Sequence, residues 1–102
     1  MHAAGPTAED LEGLDWDTAG FIEASSYRRR IVEALQDGSA TPSELEEQTG
    51  VTITHVSRAL RRLRQRGVVE LLVDEDRAKG RLHGLTDAGE VVAEVVLSGG
   101  GD

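Results

Sequence analysis

Thr54, His55, Ser57 and Arg58, with three more arginines behind them at 61, 62 and 64, are the residues of this chain best equipped for chemistry. The chemistry is recognition rather than bond-making. A guanidinium donates two parallel hydrogen bonds, which match O6 and N7 of guanine or two oxygens of a phosphate. Spacing sorts the roles. On a helical wheel centred on Val56, the apolar Ile53, Leu60 and Leu63 fall within about 60°, and Ala59 lies on the same side. Thr54, Arg58, Arg61 and Gln65 occupy the opposite face, flanked by His55, Ser57 and Arg62. Such a helix can seat one side on a core and offer the other to a groove about 12 Å wide. Its first turns would bring Thr54, His55, Ser57 and Arg58 to base edges. Arg61, Arg62 and Arg64 lie further along and suit phosphate.

Other chemistries find little here. The chain has no cysteine, so disulfides, thiolate nucleophiles and Cys-containing zinc sites are excluded. Its three histidines, His2, His55 and His83, have no pair at helical ligand spacing, and no metal is expected. There is no glycine-rich phosphate loop and no plausible Ser-His-Asp set, so neither a catalytic residue nor a cofactor is expected. The one long uncharged run, Val91 to Gly101, is broken by Glu94 and ends in glycines, too short and interrupted to span a membrane. Met1-His2 opens no basic, apolar leader, which makes a cytoplasmic location the expectation.

The elements that must position the arginine face are punctuated clearly. A helix over Ser26–Asp37 places Tyr27, Ile31, Ala34 and Leu35 on one side and stops at Gly38. Thr41-Pro42-Ser43-Glu44 spells a capping box with proline at the first helical position, and Gly50 supplies the positive φ that ends that helix. Thr52 opens the arginine helix and Gly67 closes it. Val68–Val73 then reads as a strand, 74–80 as a polar turn, and 81–85 as the returning strand. Thr86 caps a last helix over Asp87–Leu97, with Val91, Val92, Val95 and Val96 apolar. An arginine run on a surface helix is by itself commonly a solvated face. Two capped short helices joined by a turn glycine and followed by a hairpin make a helix-turn-helix unit instead.

Charge is segregated along the 102 residues. The first 24 carry six acids and no Lys or Arg, residues 25–72 carry eight arginines against six acids, and residues 73–102 carry three bases against seven acids. The net formal charge is -8, and ten of the eleven basic residues are arginine. Low lysine with abundant Asp and Glu resembles haloarchaeal proteins, whose surfaces stay hydrated in strong salt; coding bias in an ordinary acidic protein would give the same counts. Either way the acids must lie away from the arginine helix. Glu44, Glu46 and Glu47 are the closest threats, and Glu44 is occupied by its cap. Arg28 and Arg29 sit awkwardly at a helix N-terminus and call for an anion, either phosphate or Asp15, Asp17 and Glu23 just upstream.

From Tyr27 to Val96 the chain resembles the winged helix-turn-helix domain of MarR/ArsR-like regulators, in particular short haloarchaeal members. The resemblance rests on 26–35 (SYRRRIVEAL), Thr41-Pro42-Ser43-Glu44-Leu45, 55–63 (HVSRALRRL), Arg66-Gly67-Val68-Val69 and Leu85-Thr86-Asp87-Ala88-Gly89. It implies an α+β fold with a three-helix core, a two-stranded β-wing and a C-terminal helix. It also implies sequence-specific binding of double-stranded DNA by a transcriptional regulator, with bases read by Thr54, His55, Ser57 and Arg58. Phosphate contacts would come from Thr41, Ser43, Arg61, Arg62, Arg64 and the wing residues Arg77, Lys79 and Arg81. The wing departs from the family pattern, because Asp74, Glu75 and Asp76 open its turn. The expected organisation is an acidic segment over 1–24, disordered to about residue 10 and then partly packed, a winged domain over 25–97 and a flexible tail over 98–102. A homodimer would use the C-terminal helix and the apolar Leu14, Trp16 and Phe21. The competing reading is a winged-helix module that binds protein, which exposed apolar residues at the head of the arginine helix would favour.

Overall fold

The computed structural model describes residues 16–72 and 81–99. Five helices and two strands follow in the order α1 (Trp16–Glu23), α2 (Ser26–Gln36), α3 (Pro42–Thr49), α4 (Ile53–Gln65), β1 (Val69–Leu72), β2 (Leu82–Leu85) and α5 (Asp87–Gly99). The punctuation acts as the residue types require. Ser25 accepts the Arg28 amide at the head of α2. Thr41 and Glu44 complete a reciprocal capping box, with bonds of 3.2 and 2.9 Å. Gly50 and Gly67, at φ 79° and 76°, turn the chain after α3 and α4 in a conformation that side chains with a Cβ resist.

Helices α2, α3 and α4 enclose the core, with Ile31, Val32, Leu45, Val56, Leu60 and Leu63 all at most 1% exposed. Helix α1 lies across α2 and α5 and contributes Ala19 and Ile22 to the same core. Strands β1 and β2 pair antiparallel, Val69 opposite Leu85 and Leu72 opposite Leu82. Ala40, in the link between α2 and α3, adds a single bridge to His83, exchanging backbone bonds of 2.9 and 2.8 Å. Gly89 sits so close to the residue that precedes β1 that a Cβ would strike the Val68 carbonyl oxygen. Thr86 fastens the same corner: its amide and hydroxyl donate to the Val68 and Gly67 carbonyls, and its Oγ accepts the Gly89 amide.

Two expected core residues lie elsewhere. Tyr27 is 41% exposed, because Val32 joins the buried arc of α2 and rotates its centre away from Tyr27. Ile53 is 39% exposed at the first turn of α4, at the margin of that helix's apolar stripe. Trp16 is exposed as well, and Phe21 is half-buried. The expectations for 1–15, the turn acids Asp74, Glu75 and Asp76, and the tail beyond residue 99 lie outside the described residues.

Candidate nucleic-acid interface

Helix α4 carries no acid from Ile53 to Gln65, and Thr54, Ser57, Arg58, Arg61, Arg62 and Arg64 are all exposed on it. Its buried side is Val56, Ala59, Leu60 and Leu63, so the period of 3.6 turns every one of those polar side chains outward. The first turn is held by a residue from another helix. Glu46 of α3 accepts the Ile53 amide at 3.0 Å, while the Thr52 hydroxyl pairs with Nδ1 of His55 at 2.9 Å. Thr52 thus stands at the N-cap position without a side-chain capping bond. Two of the three worrying acids are engaged with backbone amides: Glu44 caps α3 and Glu46 caps α4.

His55 is half-buried and its ring lies 4.5 Å from that of Tyr27, the planes tilted by 41°. These rings, with Arg28, Arg58 and Arg62, line a hollow of about 280 Å³ between α2 and α4. Arg28 also answers for its place at a helix N-terminus. Its Nη1 donates to the Phe21 carbonyl oxygen at 2.6 Å, and its guanidinium lies 3.7 Å from the Phe21 ring centroid. Arg66 lies over the same ring at 4.2 Å, so one half-buried aromatic ring serves two cations. Burial, and then the charges of Arg62 and Arg66, hold Arg28 below the ordinary guanidinium value, yet it stays a cation at any working pH. Asp17 and Glu23, the described carboxylates expected to meet it, are exposed, as is Arg29.

A second hollow of about 420 Å³ separates α4 from the head of α3 and from β2, lined by Thr54, Ser57, Arg58, Arg61, Arg64 and Arg81 among others. At its floor His83 is 2% exposed. Its Nδ1 bonds the Arg81 carbonyl oxygen at 2.9 Å and its Nε2 meets Nη1 of Arg64 at 3.0 Å. Burial, outweighing the bond to Arg81, keeps its imidazole pKa below the ordinary value, helped by the Arg64 and Arg81 charges. Ser43 and half-buried Thr41 stand at the head of α3, with the Thr41 oxygen engaged in its cap. Arg77 and Lys79 lie outside the described residues.

The structure thus brings Thr54, Ser57, Arg58, Arg61, Arg62, Arg64 and Arg81 around one helix. Sequence reasoning did not foresee Glu46, Arg66, Phe21 or the His83–Arg64 pair. Only Glu46 left a trace, as a carboxylate seven residues before an uncapped amide. Among the described residues no group of His, Asp or Glu could hold a metal ion, and no helix is long and apolar enough to cross a membrane. Away from this face, a hollow of about 650 Å³ between α2, β2 and α5 is lined by Asp87, Glu90 and Glu94, the opposite electrostatic character.

The family model described as HVO_A0261 N-terminal domain matches residues 16–98. No curated protein matches the chain at a significant level. Diamide-treated YodB from B. subtilis is similar at a TM-score of 0.73 and 20% identity, over 82% of this chain and 84% of YodB. YusO from Bacillus subtilis gives 0.69 at 23%, over 80% of this chain and 60% of that one. A MarR mutant from E. coli, complexed with operator DNA, gives 0.65 at 23%, over 76% and 59%. The chain spans about three-fifths of the YusO and MarR chains, and 47% of ZitR from Lactococcus lactis. The shared architecture is the winged helix-turn-helix.

Proposed function

The chain belongs to the HVO_A0261 N-terminal domain family, and from that premise we propose that it binds double-stranded DNA sequence-specifically as a transcriptional regulator. The observation that carries this reading is the face of α4: exposed hydroxyls and four exposed arginines, no acid on the helix, and the adjacent Glu46 spent on a cap. In this reading Thr54, His55, Ser57 and Arg58 read bases, because only the first turns of a recognition helix reach deep into the major groove. Thr41, Ser43, Arg61, Arg62, Arg64 and Arg81 hold phosphates, joined by Arg77 and Lys79 of the wing. Arg28 acts chiefly within the fold, through Phe21, and Arg29 is the freer of the two to meet phosphate. The structure of a MarR protein with operator DNA supports this use of the shared fold.

The DNA-binding unit is the winged domain over 25–97, with the N-terminal segment packed on it through α1. The second partner is another copy of the chain, meeting through α5 and α1, where Trp16 is exposed and Val91 and Val95 are half-buried. A protein-binding module is the second reading, and exposed Ile53 at the head of α4 favours it.

Selection from a random duplex pool, followed by titration of the winner and a scrambled duplex at several salt concentrations, tests the proposal. A preferred duplex with a negative dependence of log K on log salt supports it. Failure to enrich any duplex, with capture of a protein lost in Ile53→Ala, would pass the case to the protein-binding module.

A further inference from the structure

His83 is the most buried ionisable side chain on the arginine face, and its two ring nitrogens have partners of fixed polarity. The Arg81 carbonyl can only accept, so Nδ1 must carry the proton. The Arg64 guanidinium can only donate, so Nε2 must be bare. One protonation state satisfies both: the neutral Nδ1–H imidazole. The backbone of the same residue is clamped to Ala40 by two bonds, so the acceptor that Arg64 meets is rigid. We propose that His83 is a positioning residue for DNA binding, which in its neutral form holds Arg64 at the junction of recognition helix and wing and which releases it on protonation.

This inference rests on the DNA-binding reading for its purpose, though the contact itself does not. Arg64 is an exposed, long side chain that loses much rotamer freedom on meeting a phosphate. A fixed acceptor removes part of that loss in advance. Acid undoes the arrangement, because a proton on Nε2 would face a guanidinium at 3.0 Å. Among the described residues no carboxylate lines this hollow. Arg64, Arg61 and Arg58 of α4 and Arg81 just before β2 border the same hollow; the α2–α3 link offers the Ala40 backbone, and α3 offers Pro42. Glu70 of β1 pairs opposite Gly84 and so points to the other face of the sheet. Glu44 of α3 is engaged at the Thr41 amide.

The sign with DNA follows from linkage. In the free protein a protonated His83 can shed Arg64 into solvent. In the complex a phosphate holds Arg64 against Nε2, so protonation is opposed more strongly there, and acid weakens binding. A histidine that merely added charge to the interface would do the reverse.

The experiment uses a duplex selected by the wild-type chain, titrated by fluorescence anisotropy at fixed ionic strength between about pH 8 and about pH 5.5. Wild type is expected to lose about 2- to 5-fold in affinity across that range, most of it at the acid end, and Arg64→Ala to bind more weakly at the upper pH with the slope abolished. Arg62→Ala, a proposed phosphate contact without a histidine partner, should weaken binding yet keep the slope. His83→Ala should lose the slope and part of the affinity that Arg64→Ala loses, and His83→Gln, which keeps an acceptor and cannot titrate, should recover affinity without recovering the slope. Equal slopes in Arg64→Ala and Arg62→Ala, or tighter binding in acid, would overturn the proposal. If the histidine variants fail to fold, the arginine pair decides. If no duplex is ever selected, the DNA-binding reading has failed, and nitrogen NMR of the imidazole judges the contact alone. An Nδ1–H tautomer whose pKa rises in Arg64→Ala sustains it; an Nε2–H tautomer, or a titration indifferent to Arg64, ends it.

Discussion

Arg58 and Arg62 occupy different depths of the same helix, and their substitution should separate two kinds of contact. Arg58→Ala is expected to cost about 1–3 kcal/mol on the selected duplex and to relax preference at one position. Arg62→Ala should weaken selected and scrambled duplexes alike and reduce the salt slope by about one. Anisotropy titrations on both duplexes check each. At Gly89 the issue is space. A Cβ there would strike the Val68 carbonyl, whose oxygen already accepts the Thr86 amide, so neither backbone can yield cheaply. Gly89→Ala should destabilise the fold by about 1–3 kcal/mol or more, read by denaturant unfolding. The glycine was visible in the sequence as part of a Leu-Thr-x-x-Gly string. Its reason, contact with a residue 21 positions earlier, was not.

Between elements, α4 is held at both ends by side chains from its neighbours. Glu46 of α3 caps its first turn, so Glu46→Ala should cost about 1 kcal/mol of stability while removing a negative charge beside the recognition face. Unfolding and DNA titration of that variant should therefore move in opposite directions. At the other end, His83 of β2 links to Arg64. Its folded pKa is depressed, so the unfolded chain binds the proton first as pH falls. Stability from this group is fully present above the unfolded value of about 6.5 and drains away as pH falls through the lower folded value. Denaturant midpoints measured across that window should decline toward acid, and less so in His83→Gln. The boundaries of α2 to α5 were legible from caps and glycines to within a residue or two, because capping acts over three or four positions; α1, which has no such punctuation in the acidic segment before Ser25, was not. The ties between helices were not, since Glu46 and His83 act across 7 and 19 residues.

For the whole molecule, a net charge of -8 coexists with an arginine face because the acids gather elsewhere, at Asp87, Glu90 and Glu94 for example. Like charges so gathered repel, and salt screens them over roughly 10 Å at 0.1 M and less above it. Thermal unfolding should accordingly shift upward as KCl rises toward molar concentrations, until the shift saturates. The proposed dimer is tested in the same buffer. Sedimentation at tens of micromolar should show a species of about twice 10.9 kDa, and a single monomer would leave α1 and α5 without that role.

What the sequence determined by itself was local: which segments from Ser26 onward are helical, where each begins and ends, and which side of the arginine helix faces outward. Those outcomes follow from hydrogen bonds and periodicities that span a few residues, and the residues that make them are adjacent in the chain. What only the tertiary structure decided was the partner of each polar or aromatic side chain at the margins. Tyr27 and Ile53 lie at the edges of their apolar stripes, where a wheel cannot tell core from surface. Phe21 lies between Arg28 and Arg66, and His83 takes Arg64, because the packing of α1, α2, α4 and β2 brings them together. Periodicity orients a side chain about its own axis, and only the packing of one axis on another says what it will touch.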